Sequence, residues 1–212
     1  MSSIRSIAIL GAGKLGTVLS QLALRAGYEV YVAGSGDPDK IALSVSILSP
    51  GAHAVTAEQA IAKSDVVILA LPLGKYQSLP AQMFDGKLTI DAMNYWWEVD
   101  GDLDDLIDGH NSSSEMIQDF LPQARVVKAL SHMGYHHLLD EARDESTKGR
   151  KAIAIAADNT NDSKLVSELV DRLGFDPVFI GPLSSGKSLE PGGPAFGANL
   201  TADKLRAVIK NS

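Results

Sequence analysis

A glycine pattern near the N-terminus constrains the fold more than any other feature of this sequence. The pattern is G-x-G-x-x-G, and it reads Gly11-Ala12-Gly13-Lys14-Leu15-Gly16. The apolar run 7–10 before it predicts a buried strand, and apolar residues at helical spacing in 14–26 predict a helix. A strand, a glycine loop and a helix in this order are typical of dinucleotide binding, because amides at the helix start face the pyrophosphate. We therefore predict that residues 11–16 bind the phosphates of a nicotinamide dinucleotide.

Short β-rich runs alternate with helical patterns along most of the chain. The predicted strands are 7–10, 29–33, 52–55, 66–71, 88–90, 125–130, 152–156 and 177–180. Predicted helices cover 14–26, 40–48, 162–173 and 201–210, and two more begin after Thr56 and Ser112. This alternation predicts the α/β class, with a doubly wound, mostly parallel sheet of the Rossmann type. We expect residues 1–180 to form the dinucleotide-binding domain and residues 181–212 a short C-terminal helical extension packed on it.

Composition excludes several other classes of protein. Hydrophobic residues make up 45% of the 212 and charged residues 21%, as in ordinary globular proteins. The net charge of -7 argues against binding nucleic acid or an anionic membrane surface. The absence of cysteine excludes disulfides, thiolate metal sites and a cysteine nucleophile. Without a recognisable signal segment or a long apolar run, we expect a cytoplasmic protein.

The end of the second predicted strand decides which dinucleotide is bound. An acidic residue there would hold the ribose hydroxyls of NAD, but the sequence reads Gly34-Ser35-Gly36. A 2′-phosphate would fit there without repulsion, and Ser35 could donate a hydrogen bond to it. Asp37 and Asp39 could instead serve the ribose, and Lys40 is a candidate cation. The sequence favours NADP (NADPH) over NAD.

Three further strand ends offer contacts to the cofactor or the substrate. In doubly wound sheets, ligands bind outside the carboxyl ends of the strands. Leu71 and Pro72 are expected to line the path of the nicotinamide ribose, and Asn94 is either a hydrogen-bond donor or only a turn residue. Ser131 and His132 follow the sixth strand and are the candidate catalytic residues; they either face the nicotinamide or serve only the core.

Two clusters of polar residues suggest metal binding, but the sequence does not favour a metal site. His132 and His136 could share a helical face, yet Gly134 lies between them and no cysteine completes a site. The carboxylates of 100–108 alternate as in a calcium loop, but the glycine and glutamate of that motif are missing. A solvated acidic loop is the better interpretation.

Trp96 and Trp97 stand out in a predicted loop, residues 95–114, because their neighbours are polar. They either anchor the loop to the core or form an aromatic wall beside a flat ligand. The sequence leaves both interpretations open.

Taken together, these motifs give the chain a resemblance to the coenzyme F-420:NADP oxidoreductases, also called deazaflavin-dependent NADP reductases. The matching segments are Gly11–Gly16, Gly34-Ser35, Leu71-Pro72, Asp91-Ala-Met-Asn94, Val127-Lys-Ala-Leu130, and Gly181-Pro-Leu-Ser-Ser185 followed by Leu189-Glu190. The resemblance implies a Rossmann-like domain with NADP across the strand ends and a deazaflavin ring stacked against the nicotinamide. It also implies a homodimer.

The sequence therefore supports one leading hypothesis and two alternatives. Hydride transfer between two bound cofactors needs positioning at about 3–3.5 Å rather than acid–base chemistry, and no catalytic dyad is evident. An NADP-linked oxidoreductase with a deazaflavin or flavin-like acceptor is thus the leading hypothesis. A reductase of a small carbonyl or imine would need a proton donor, for which His132 or Lys128 is the candidate. The third hypothesis is a non-catalytic, NADP-binding regulatory module.

Overall fold

A single eight-stranded sheet forms the centre of the computed structural model, which describes residues 4–101 and 112–211. The strand order is β3-β2-β1-β4-β5-β6-β7-β8. The strands are β1 Ser6–Leu10, β2 Glu29–Ala33, β3 His53–Ala54, β4 Val66–Leu69, β5 Leu88–Asp91, β6 Arg125–Lys128, β7 Ala152–Ala157 and β8 Asp176–Gly181. The order of the first six strands is that of the Rossmann fold, which confirms the predicted fold class.

Helices cover both faces of this sheet. The α-helices of the described residues are α1 Lys14–Arg25, α2 Asp39–Leu48, α3 Ala57–Lys63, α4 Trp97–Asp100, α5 Ser113–Phe120, α6 Tyr135–Glu141, α7 Thr160–Arg172 and α8 Ala202–Lys210. Shorter 3-10 turns occupy Leu73–Ser78, Ala81–Phe84 and Leu183–Leu189. Every residue of β1, β4 and β5 is buried, as expected of parallel strands covered on both faces.

Two helix starts follow directly from local sequence. The Thr56 hydroxyl accepts a hydrogen bond from the Gln59 backbone N–H, and the Gln59 side chain accepts one from the Thr56 N–H. The Ser112 hydroxyl likewise accepts from the Glu115 N–H at 3.3 Å. Both caps satisfy backbone donors that a helix start otherwise leaves unpaired, and both were predicted from the sequence.

The far edge of the sheet departs from the parallel pattern. β7 runs antiparallel to β6, with Lys128 beside Ala156, while β8 is parallel to β7. The predicted strand 125–130 ends at Lys128, because Leu130 adopts a left-handed backbone with φ 63°. Helix α6 follows this turn and was not predicted, since its short, histidine-rich sequence has only one fully buried apolar side chain, Leu138.

The C-terminal segment packs against the last two strands. Leu189, Ala195 and Leu205 lie in one buried cluster with residues of β7 and β8. The Ala152 N–H donates to the Leu200 carbonyl at 2.8 Å, so residues near 200 continue the backbone hydrogen bonding beyond β7. Among the helices that the structure describes, none has both the length and the apolar character needed to cross a membrane.

Candidate dinucleotide site

The glycine loop is held by close backbone packing at two of its three glycines. A Cβ on Gly11, whose φ is 128°, would lie 2.2 Å from the Ala70 carbonyl oxygen. A Cβ on Gly16 would lie 1.8 Å from the Gly11 carbonyl oxygen. Both distances are far below van der Waals contact, so only glycine allows α1 to approach β1 and β4 this closely.

Gly13 differs from Gly11 and Gly16 because a Cβ there would meet no heavy atom of residues 4–101 and 112–211 within 4 Å. Gly13 is also the N-cap of α1, and no side chain in the described part of the chain caps this helix start. The first amides of α1 therefore remain available to an anion, which the helix dipole also favours. The open space beside Gly13 and the uncapped helix fit a pyrophosphate group.

The other loop residues have supporting roles. The Lys14 Nζ lies 5.6 Å from the centre of the exposed Tyr135 ring, a distance typical of a cation–π contact. Leu15 is half-buried against the main core, and Ala12 packs against the same cluster. Binding of phosphate by this loop would thus rely mainly on backbone groups.

A cavity of about 1100 Å³ lies over the loop and the ends of β2 and β4. Its walls include residues 11–13, 34–38 and 70–72. The structure therefore brings together most of the predicted cofactor-binding residues, including Gly34, Ser35, Gly36, Leu71 and Pro72. Asn94, Ser131 and His132 are not among the residues that line it.

The end of β2 gives this cavity a mixed charge. Ser35 and Gly36 are exposed, and the Asp37 carboxylate accepts a hydrogen bond from the Asp39 N–H at 3.0 Å. Lys75 and Glu58 also line the cavity, and neither was predicted from the sequence, because they belong to segments distant in the chain. Hydrogen bonds from its own backbone N–H and from the Thr56 hydroxyl lower the pKa of Glu58. A dinucleotide would meet one cation and two carboxylates here.

Asn94 and Ser131 are joined at the ends of β5 and β6. The Asn94 Nδ2 donates to the Ser131 carbonyl oxygen at 2.5 Å. The Asn94 Oδ1 and the Ser131 Oγ are buried and have no hydrogen-bond partner within the described part of the chain. Buried polar atoms of this kind usually have partners, so these two atoms are suited to contact a bound ligand.

The side chain of His132 is hydrogen-bonded to the sheet, unlike the hydroxyl of its neighbour Ser131. Its side chain is 1% exposed, and its Nε2 accepts a hydrogen bond from the Ala154 N–H of β7 at 3.0 Å. Burial lowers the pKa of His132 to about 4, although a backbone hydrogen bond at Ala198 acts in the opposite direction. The imidazole is therefore neutral near pH 7 and tied to the sheet, an arrangement that disfavours the proton-donor role considered for it.

A buried ion pair connects the ends of the same two strands. The Lys128 Nζ lies 3.1 Å from the Asp91 Oδ2, and both side chains are 0% exposed. The other Asp91 oxygen accepts from the Met93 N–H at 2.9 Å, and the Ser114 hydroxyl donates to Oδ2 at 2.6 Å. The sequence pattern suggested Lys128 only as a proton donor; its pairing with Asp91 depends on the strand register, in which the two residues are neighbours.

Aromatic side chains lie beyond the end of β5. The Trp96 and Phe196 rings are 6.0 Å apart at their centres, and Trp96 is 52% exposed. The Asp100 carboxylate accepts from the Trp96 N–H and the Gly74 N–H, each at 2.8 Å, which ties this segment to the turn after β4. Trp97 is 69% exposed, so it does not anchor the loop to the core.

The structure describes only part of the polar clusters considered for metal binding. His136 and His137 have ring centres 4.2 Å apart, whereas His132 bonds to β7. Across residues 4–101 and 112–211, no three histidine or carboxylate side chains come together as a metal site. The other acidic residues of the run, Asp102, Asp104, Asp105 and Asp108, lie outside the described residues.

The N-terminal part of the chain matches a known protein family. Residues 6–95 match the model of the family described as NADP oxidoreductase, coenzyme F420-dependent. The matched region contains the glycine loop, the Gly34–Gly36 segment and Asn94. The resemblance to this family that the motifs indicated is thereby confirmed for residues 6–95.

Curated relatives and solved structures extend the similarity over most of the chain. Metalloreductase STEAP3 of Rattus norvegicus is 26% identical over 186 residues, which are 87% of this chain and 35% of that protein. The chain thus spans about a third of the length of the curated relatives it matches. A hypothetical protein from Sinorhizobium meliloti is 26% identical, with a TM-score of 0.80 and coverage of 93% of this chain and 95% of that one. A structure from Arthrobacter sp. FB24, provisionally named an F420-dependent NADP-reductase, shares the fold at 22% identity, with a TM-score of 0.71 and coverage of 87% and 88%.

Proposed function

We propose that this chain, whose residues 6–95 match the family model described as NADP oxidoreductase, coenzyme F420-dependent, transfers hydride between NADP(H) and a deazaflavin or flavin-like acceptor. The observation that carries the proposal is the cavity of about 1100 Å³, which is lined by Gly11 and Gly13 at an uncapped helix start. The polar ends of β5 and β6 follow the end of β4 along the same edge of the sheet. NADP supplies the hydride chemistry when bound. The residues of the chain bind it, orient it and exclude water.

The binding half of the proposal rests on the glycine loop and the end of β2. Backbone amides at the start of α1 bind the pyrophosphate, and the open space beside Gly13 admits it. Ser35 lines the same cavity. Because position 35 is a serine and not an acidic residue, it favours a 2′-phosphate. Lys75, in the turn after β4, contributes a positive charge to the same cavity.

The acceptor half rests on the aromatic side chains beyond β5. Trp96 is half-exposed and contacts Phe196 with the two ring planes tilted by 60°, so the exposed Trp96 ring offers an apolar surface near the ends of the strands that carry Asn94 and Ser131. Planar heterocycles gain from stacking on such a surface.

A flavin-like acceptor is also consistent with the name of the curated relatives, because NADPH gives two electrons as hydride whereas a metal ion takes one at a time. A carrier between them must accept hydride and release single electrons, which flavins do.

The neutral, buried His132 agrees with this reaction class better than with reduction of a carbonyl or imine. A carbonyl or imine substrate takes a proton from an acid close to the reacting atom. His132 directs its Nε2 to the Ala154 N–H and has a pKa of about 4, so it offers no such proton near neutral pH. Cofactor-to-cofactor hydride transfer requires alignment from the protein and little acid–base chemistry.

Calorimetric titration with NADPH and with NADH, repeated with a deazaflavin, tests the proposal. We expect NADPH to bind more tightly than NADH, and the deazaflavin to bind once NADP is present. Single-turnover mixing should then show loss of NADPH absorbance together with reduction of the deazaflavin or of a flavin. Binding of NADPH without binding or reduction of any such acceptor would contradict the acceptor half and favour a small-substrate reductase or a regulatory module.

A further inference from the structure

Met93 connects the buried ion pair of Asp91 and Lys128 to the candidate nicotinamide end of the site. The Asp91 Oδ1 accepts from the Met93 N–H at 2.9 Å, and the Lys128 Nζ donates to the Met93 carbonyl at 2.7 Å. Both peptide groups of this single residue are therefore fixed by charged side chains. The residue that follows is Asn94, whose amide holds the Ser131 carbonyl.

The same ion pair also constrains the strand that carries Ser131. Lys128 ends β6, and the Ala129 N–H donates to the Asp91 carbonyl at 3.3 Å. Leu130 then adopts the left-handed backbone, which is uncommon and costly for a residue with a branched side chain. Asp91 and Lys128 thus fix the start of the turn that presents Ser131.

Stability alone is a poor reason for placing two charges at this position. Desolvating a buried ion pair costs free energy that its attraction often fails to recover, and apolar replacements are frequently neutral or stabilising. Here both side chains are 0% exposed, and the tail comes close enough that a Cβ on Gly186 would lie 3.2 Å from the Lys128 Cγ. Charged groups that form hydrogen bonds fix the geometry of the peptide groups they contact, whereas apolar groups do not.

We propose that Asp91 and Lys128 are a positioning pair, which fixes the backbone of Met93 and thereby sets the Asn94 amide on the Ser131 carbonyl at the nicotinamide end of the dinucleotide site. Neither residue contacts the reacting atoms. The proposal rests on the assignment of NADP(H) as the ligand and is independent of the identity of the acceptor.

The test compares ligands that do and do not carry the nicotinamide. Lys128→Met removes the ammonium and keeps an apolar stem of similar length. The double variant Asp91→Leu with Lys128→Met removes both charges, so no unpaired charge is left buried. It serves for the binding measurements if the single variant does not fold. The probes are NADPH and adenosine 2′,5′-bisphosphate, which represents the adenine half alone. The matched control is Arg150→Met, because Arg150 is also a buried cation paired with carboxylates, Asp171 and Asp176.

We expect both Lys128 variants to bind NADPH about tenfold more weakly, to show an altered fluorescence of the bound reduced nicotinamide, and to bind the bisphosphate as the original protein does. Arg150→Met should lower the midpoint of unfolding and leave both affinities and the fluorescence unchanged. Unchanged NADPH affinity and fluorescence in the double variant would overturn the proposal. An equal loss of affinity for both probes would also overturn it, because that is the result of a purely structural role. These binding measurements need no acceptor, so a failure of hydride transfer to a deazaflavin would leave the positioning pair testable.

Discussion

The position of a Cβ on Gly16 lies 1.8 Å from the carbonyl oxygen of Gly11, so the first turn of α1 touches the loop that precedes it. Gly13, between them, faces open space. The three glycines of this motif therefore have different structural roles. Two of them permit packing of the chain on itself, and one leaves room for a ligand.

Substituting alanine at Gly13 and at Gly16 should separate these roles. Gly16→Ala is expected to destabilise the fold by about 3 kcal/mol or more, because the methyl group overlaps a backbone carbonyl that cannot move easily. Gly13→Ala should fold nearly as well as the original protein but bind NADPH at least about tenfold more weakly, since its methyl group occupies the approach to the amides of α1. Urea unfolding and calorimetric titration measure the two effects. Full NADPH affinity in Gly13→Ala would contradict the placement of the pyrophosphate.

The selectivity for the 2′-phosphate should depend on the charge at the end of β2. Ser35→Asp places a carboxylate in the wall of the cavity, and we expect the Kd for NADPH to rise at least about tenfold while the Kd for NADH changes little or falls. Ser35→Asn has a similar size without the charge and should cause a smaller loss. Parallel titrations with both dinucleotides give the comparison. An equal effect of Asp and Asn on NADPH binding would mean that the 2′-phosphate lies elsewhere.

The stability of the protein should fall in mild acid because of His132. Burial lowers its pKa from 6.5 to about 4, so between these values the unfolded chain binds a proton that the folded chain does not. The free energy of unfolding is therefore expected to decrease as the pH falls, by about 2 kcal/mol from His132 alone between about pH 7 and about pH 5. His132→Gln, which keeps an acceptor for the Ala154 N–H, should remove this part of the pH dependence. His136→Gln changes an exposed histidine and serves as the control. If both variants flatten the curve equally, His132 is not its cause.

Trp96 should affect the acceptor and not the dinucleotide. Trp96→Ala removes one half of the aromatic surface, and a stacking loss of about 1 kcal/mol would raise the KM for a flavin-like acceptor about fivefold. The Kd for NADPH should stay the same. Phe179→Ala is a matched control, because Phe179 is also an aromatic residue that is 52% exposed but lies on β8. A KM that is unchanged in Trp96→Ala, or raised equally in Phe179→Ala, would exclude Trp96 as the acceptor surface.

The sequence by itself determined the fold class, the position of the glycine loop between β1 and α1, and most helix starts. Local patterns are sufficient for these features, because the spacing of Gly11, Gly13 and Gly16, the buried strand before them and the caps at Thr56 and Ser112 act within a few residues of the chain. The departures lie where distant segments meet. The antiparallel β7 and the helix after Gly134 follow from packing at the far edge of the sheet, which no local pattern encodes.

Only the tertiary structure decided what the polar residues at the strand ends do. Ser131 and His132 are adjacent in the chain, yet the Ser131 hydroxyl has no partner among the residues that the structure describes, whereas the His132 imidazole bonds to β7. The Asp91–Lys128 pair exists because parallel register places two residues 37 positions apart side by side. Hydrogen bonds and ion pairs of this kind depend on distances between strands, and those distances are fixed by the packing of the whole sheet and not by the sequence around either residue.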